Sequence, residues 1–217
     1  MFKANSCKLF AEPHPAYTVG MPLPGNELIA LLVAISFAAG LNVYATVATL
    51  GLLERATVLA LPPQLHLLSD WWIIAAAVTL FAIEFFADKV PAFDLIWNAL
   101  HTFVRVPVAA LLAWQTTASL SPREQLLAAL AGGVIAFIAH GGKTAVRAAV
   151  TPSPEPLSNM SLSLGEDVFA VSLTWFATAH PYIAATIAAI FVLLALLLIR
   201  WIWKALKALF RAAEQQL

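Results

Sequence analysis

The chain has 217 residues, of which 61% are hydrophobic and 11% charged; soluble domains carry about 25% charged residues, so a water-soluble fold is excluded. Lys plus Arg and Asp plus Glu both number 12, which leaves no basic excess to recruit nucleic acid. The single cysteine, Cys7, forms neither an internal disulfide nor a CxxC metal pair and reads as a free cytosolic thiol.

In chain order, residues 1–27 carry scattered prolines and polar groups without an apolar period, which predicts a flexible cytosolic tail. Continuous apolar runs follow, not the striped pattern of a surface helix, so lipid or protein must meet nearly every face. They predict an all-α, polytopic membrane helix bundle over 28–203 with six spans: Leu28–Leu53, Trp71–Ala87, Asp94–Trp114, Gln125–Arg147, Gly165–Ala179 and Tyr182–Trp203. Each approaches the ~20 residues that cross a bilayer, the fifth being the shortest. Pro62 and Pro63, the three prolines of Thr151–Leu164, and the His180-Pro181 turn mark linkers. Residues 204–217 continue with basic and apolar groups at helical spacing. They predict an amphipathic cytosolic helix along anionic lipid, with a plain continuation of the last span as the alternative.

Basic residues set the orientation, because short cytoplasmic loops retain Lys and Arg. Six spans place Lys3, Lys8, Lys89, Arg105, Lys143, Arg147, Arg200, Lys204, Lys207 and Arg211 on one side and only Arg55 and Arg123 on the other. Both chain ends are therefore expected in the cytosol. Spans two and three, and again four and five, form hairpins alike in plan, which suggests a parallel pseudo-repeat.

The polar residues gather at the cytosolic ends of spans two to five. Span two closes with Glu84, Asp88 and Lys89; the two carboxylates are four apart and share a face. Asp94, Asn98, His101 and Arg105 form one polar stripe on span three. Arg105 lies roughly 16 Å beyond Asp94, about halfway through a ~30 Å core. Facing lipid there would cost about 2.5–3.5 kcal/mol, so the stripe must turn inward. Counted from Pro91, Glu84 lies at a depth an extended guanidinium reaches, which predicts an Arg105–Glu84 pair. His140, Lys143 and Arg147 line one face of span four, whose Gly132, Gly133, Gly141 and Gly142 allow close approach. Glu166 and Asp167 open span five after Ser158, Asn159 and Ser163; Ser163 with Glu166 also fits a capping box. Asn42, Thr46 and Thr49 repeat at helical spacing on span one and line the same interior or bond neighbouring helices.

Glu84, Asp88-Lys89, Pro91, Asp94, Arg105, His140, Lys143, Arg147, the Ser-Pro-Glu-Pro stretch at 153–156, Ser158-Asn159, Ser163 and Glu166-Asp167 together resemble an uncharacterised family of bacterial multi-pass membrane proteins catalogued as a domain of unknown function. The likeness covers about Ala34 to Pro181. It implies a membrane location and marks these residues as the family's signature; it implies no substrate or reaction.

Three functions compete. A transporter or flippase would bind a small anionic or phosphate-bearing substrate with Lys89, Arg105, Lys143 and Arg147, while the carboxylates and His101 balance charge or relay protons. An intramembrane enzyme on lipid head groups, with a carboxylate, His101 or His140 as general base, would need a nucleophile or metal, and no GxSxG elbow supplies one. A structural factor would use the charges only to tie helices together. The expected partners are the bilayer and an anionic lipid or small anion, with self-association left open. No cofactor is expected, and two histidines among carboxylates make a metal a minor option without HExxH spacing.

Overall fold

In hydrocarbon the backbone must satisfy its own N–H and C=O groups, so apolar runs of this length fold as helices. The computed structural model describes residues 25–58, 61–87, 91–150 and 156–214, the side chains of 91–99, 148–150, 156–159 and 212–214 aside. Among these residues the chain forms α1 (Gly25–Leu41), α2 (Val43–Arg55), a 3₁₀ helix (Pro63–Ser69), α3 (Trp71–Ala87), α4 (Pro91–Thr116), α5 (Pro122–Val150), α6 (Pro156–Ala179) and α7 (Pro181–Glu214). The bundle is all-helical. Proline opens α4, α5, α6 and α7, where its fixed φ suits the first turn and its missing N–H costs nothing. Ser121 caps α5: its backbone N–H and hydroxyl donate to Glu124 Oε2 at 3.0 and 2.7 Å, and its Oγ accepts from Glu124 N at 3.4 Å, a reciprocal capping box.

Two helices are long and apolar enough to cross a membrane on length and composition alone, Pro122–Arg147 within α5 and Pro181–Arg211 within α7. The 3₁₀ helix and α3, meeting at a 63° bend, make a third if they count as one span. α3 keeps its predicted bounds. α6 begins at Pro156, nine residues before the predicted start, and absorbs most of the expected linker. α7 runs unbroken for 34 residues, ~51 Å at 1.5 Å per residue, and takes in the segment expected as a separate C-terminal helix. The expected tail lies outside the described residues up to residue 24, and α1 already includes Gly25 to Glu27.

The first expected span departs most from prediction. It is two helices meeting at Asn42, whose backbone is extended, φ −149° and ψ 103°. Within a helix a residue's N–H points back along the axis and its C=O points forward; in extended backbone the two point to the same side. The Asn42 N–H donates to Ala38 O in α1 at 2.9 Å, and its C=O accepts from Thr46 N in α2 at 3.1 Å. The axis must therefore reverse there, and α2 returns toward the end of the bundle where α1 began. Packing agrees with this course. A Cβ added to Gly132 would touch Ser36, and one added to Gly40 would touch Ala136 and Ala139, so α1 advances in step with α5. One added to Gly51 of α2 would meet Leu68 and Ile74, at the start of α3.

α1 and α2 are thus a re-entrant hairpin with its tip at Asn42. The described chain enters at one end of the bundle, at Gly25, and leaves at the other, at Glu214. The first apolar run, expected as one span from Leu28 to Leu53, is among the described residues two helices that fold back at Asn42. α1 is the central rod, buried from Leu28 to Leu41 on nearly every face, with α4, α5, α6 and α7 around it. Between helices in lipid, close packing of small residues replaces the hydrophobic drive; Ala34, Ala38 and Ala39 of α1 and Ala109, Ala136, Ala139, Ala184 and Ala188 of its neighbours are fully buried. α4 packs chiefly on α5 and α3 on α2, so the packing units do not coincide with the two hairpins expected as a pseudo-repeat.

Candidate functional site

At the tip of the hairpin the helices bring their charges together. α3 contributes Glu84, α4 Arg105, α5 His140, Lys143 and Arg147, and α6 Glu166 and Asp167; Glu84 and Arg105 are 1% and 0% exposed. One Arg105 amino group donates to Glu84 Oε1, the predicted pair, and the other lies 2.7 Å from His140 Nδ1. A guanidinium only donates, so His140 Nδ1 accepts and carries no proton in this arrangement. Lys143 Nζ stands 3.7 Å from Glu84 Oε1, 3.2 Å from Glu166 Oε2 and 3.4 Å from the Leu41 carbonyl. Arg147 donates to the same Glu166 Oε2 at 2.9 Å. The arrangement is a chain of shared partners running from α3 through α4 and α5 to α6.

The hairpin tip completes it. Asn42 accepts from Ala45 N at 2.9 Å through Oδ1, capping α2, and donates through Nδ2 to Asp167 Oδ1 at 2.8 Å. A carboxylate beside a helix N-terminus lies where the helix dipole favours negative charge. At the end of α1, Leu41 O has lost its helical donor because Ala45 N bonds the Asn42 side chain, and it turns to Lys143 instead. Among the buried atoms without a hydrogen-bond partner within the described residues are Glu84 Oε2 and Arg105 Nε.

Of the residues singled out by sequence, Glu84, Arg105, His140, Lys143, Arg147, Glu166 and Asp167 come together. His101 bonds Tyr44 Oη at 3.1 Å through Nε2, edge-on at 5.6 Å between ring centroids. Asp88 and Lys89 lie outside the described residues; Asp94 and Asn98 in α4, and Ser158 and Asn159 in α6, have side chains outside them. Ser163 and Glu166 are not a capping box, because α6 starts at Pro156 and both sit well inside it. Thr46 and Thr49 bond carbonyls of their own helix, those of Asn42 and Ala45, at 2.9 and 2.7 Å. Sequence reasoning missed Tyr44 and the Leu41 carbonyl. The signal for both was Asn42 itself, two residues after Gly40, a helix-stop followed by a helix-start residue inside an apolar run.

Beside the cluster lies a groove of about 430 Å³ between α1, α5, α6 and α7, with Lys143 and Glu166 on its wall and otherwise mostly apolar lining. The Phe37, Phe169 and Phe191 rings gather on it, with centroids 6.4, 6.1 and 4.8 Å apart. Among the described residues no three His, Cys, Asp or Glu side chains are placed to hold a metal ion.

An all-helical bundle with helices fit to cross a bilayer, a re-entrant hairpin and an ion-pair network at its tip defines a polytopic membrane protein. The chain belongs to the family described as "Domain of unknown function (DUF4126)", whose profile matches residues 29–201. No curated protein and no solved structure matches the chain.

Proposed function

We propose that the protein is a transporter or flippase of the bacterial inner membrane that handles a small anionic or phosphate-bearing substrate at the Lys143 end of this cluster. The observation that carries the reading is the position of Lys143. Its buried ammonium lies 3.2–3.7 Å from two carboxylates and a helix-end carbonyl, where the hairpin tip meets α5 and α6. A lysine ammonium has three donors on a flexible stem, so an incoming oxyanion can exchange with one of these acceptors. Re-entrant and broken helices whose ends meet charged groups at depth are a recurrent plan of transport sites. Ionisable groups within the bilayer are functional candidates by default.

Reconstitution tests it. Liposomes containing the protein should move at least one of labelled inorganic phosphate, labelled acetate or a fluorescent short-chain phosphatidate, and Lys143→Met should abolish the movement while the thermal midpoint persists. Rates equal to those of protein-free liposomes for all three probes would overturn the reading.

A purely structural network is the second reading, favoured by the full burial of the Glu84–Arg105 pair. Against it stand Glu84 Oε2 and Arg105 Nε, since a network built only to hold helices gains from satisfying every buried group. The double exchange Glu84→Arg with Arg105→Glu separates the two: retained transport supports the structural role of that pair, and lost transport in a folded protein supports a functional one.

A further inference from the structure

We propose that the groove seats the chain of a neutral, hydroxyl-headed amphiphile, a long-chain alcohol or a monoacylglycerol, whose hydroxyl donates to Glu166 Oε1. The volume, about 430 Å³, falls in the lower part of the ~300–1,000 Å³ range of small-molecule sites. Each of the four surrounding helices gives the groove an apolar wall, with Phe37, Val146, Phe169 and Leu198 among the lining side chains. The Lys143 side chain is 0% exposed and presents no charge to an occupant. The accessible charged group is the Glu166 carboxylate, 13% exposed.

The two oxygens of that carboxylate differ. Oε2 takes both Lys143 and Arg147, at 3.2 and 2.9 Å. Oε1 accepts no hydrogen bond among the described residues, and unlike Glu84 Oε2 it is not sealed from the surface. A carboxylate oxygen that faces an apolar groove without a donor is costly. An apolar molecule carrying one O–H group relieves that cost with a charge-assisted hydrogen bond.

Two observations select a neutral donor over a charged one. A cationic head group would be the third cation on a carboxylate that Lys143 and Arg147 already share, and an anionic one would face the carboxylate itself. The groove also lies level with Gly142 and Ala195, where a Cβ on the glycine would stand 2.6 Å from Ala195 Cβ. That level falls inside the stretch of α7 fit to cross a membrane, and a charge loses far more than a hydroxyl on leaving water for such a depth.

Entry is from the flank of the bundle. Phe191 and Leu194 of α7 line the groove and are 43% and 53% exposed, and Gly165 on the facing side of α6 is also exposed. A molecule already dissolved in the bilayer reaches such an opening without crossing water. A Cβ on Gly165 meets nothing within 4 Å, so a larger side chain fits at this rim without collision.

The full chain in nanodiscs of phosphatidylcholine, a lipid without a hydroxyl donor, is photolabelled with a diazirine analogue of oleyl alcohol, and the labelled peptides are mapped by mass spectrometry. Label should saturate and fall on the α6 and α7 segments that line the groove. Oleyl alcohol or monoolein should displace it, the better of the two identifying the head group. Oleyl methyl ether, which lacks only the donor, should be weaker by about tenfold or more, the contribution of a charge-assisted hydrogen bond. Oleylamine and oleyl sulfate should also trail the alcohol. Gly165→Leu favours the helix and fills the rim, so it should abolish the saturable label with an undiminished thermal midpoint, while Gly165→Ala labels as the parent does. Displacement by the ether as effective as by the alcohol, displacement by the amine or the sulfate more effective than by the alcohol, or unchanged label in Gly165→Leu would overturn the seat. Movement of anions at Lys143 is a separate measurement, and its failure leaves the seat standing.

Discussion

Arg105 ties two neighbours at once. Truncation to alanine would leave the Glu84 carboxylate, 1% exposed, to the looser Lys143 contact at 3.7 Å; breaking a buried pair on one side costs about 3–5 kcal/mol. Arg105→Ala should therefore lower the thermal midpoint markedly, whereas Arg105→Met with Glu84→Gln, which removes both charges, should recover much of the loss. A double-mutant cycle in detergent would read the coupling, and simple additivity would count against the pair. The pair was legible in sequence because helix rise converts residue number into depth, and hydrocarbon forces a deep arginine to find an anion. Its total burial was not legible, since that depends on α1 filling the bundle centre. At the tip, Asn42→Ala removes the cap on α2 and the contact to Asp167; loss of such a cap costs about 0.5–2 kcal/mol. Asn42→Asp keeps the cap but sets two carboxylates together, so it should destabilise more than Asn42→Ala at neutral pH, the difference closing as the pH falls and the carboxylates protonate.

Among the elements, the helix bounds were largely readable because apolar runs and prolines punctuate them; α3 matched to the residue. The reversal at Asn42 was not. One extended residue leaves the hydrophobic pattern on both sides intact, and α1, buried all round, shows no polar stripe to reveal which way it faces. The capping box read at Ser163 failed because Pro156 offered an earlier start, while a real one at Ser121 and Glu124 went unread. Glycine spacing foretold close packing, but only some positions need it. A Cβ on Gly40 would stand 2.5 Å from Ala136 O and 2.8 Å from Ala139 Cβ, whereas one on Gly133 comes no nearer than 3.5 Å, to Ala110 Cβ. Gly40→Ala should push α1 from α5 and lower the thermal midpoint by several degrees, and Gly133→Ala should leave it near or above that of the parent. Equal effects would mean that α1 and α5 do not pack as described.

For the whole molecule, the aromatic residues place the boundary. Trp201 and Trp203 of α7 are exposed, and Trp201 stands 20 residues beyond Pro181, a rise of ~30 Å that equals the hydrocarbon thickness. Ala195, level with Gly142, lies six residues short of Trp201, so the cluster is ~9 Å inside that boundary. The course of the chain predicts which residues face the same solution. In a Cys7→Ser background, cysteines placed at Asn26 and Ser69 should react with an impermeant maleimide from one side of sealed vesicles and a cysteine at Lys207 from the other. Asn26 and Lys207 labelling from the same side would restore the single first crossing and remove the re-entrant hairpin.

The enclosure of α1 also bears on how the molecule is made. Its walls come from α4 to α7, which leave the ribosome after it does. The segment synthesised earliest must wait, half-housed, until the last rod arrives to close around it. Chains cut short after α6 should leave that segment open to added protease, and completing α7 should shield it.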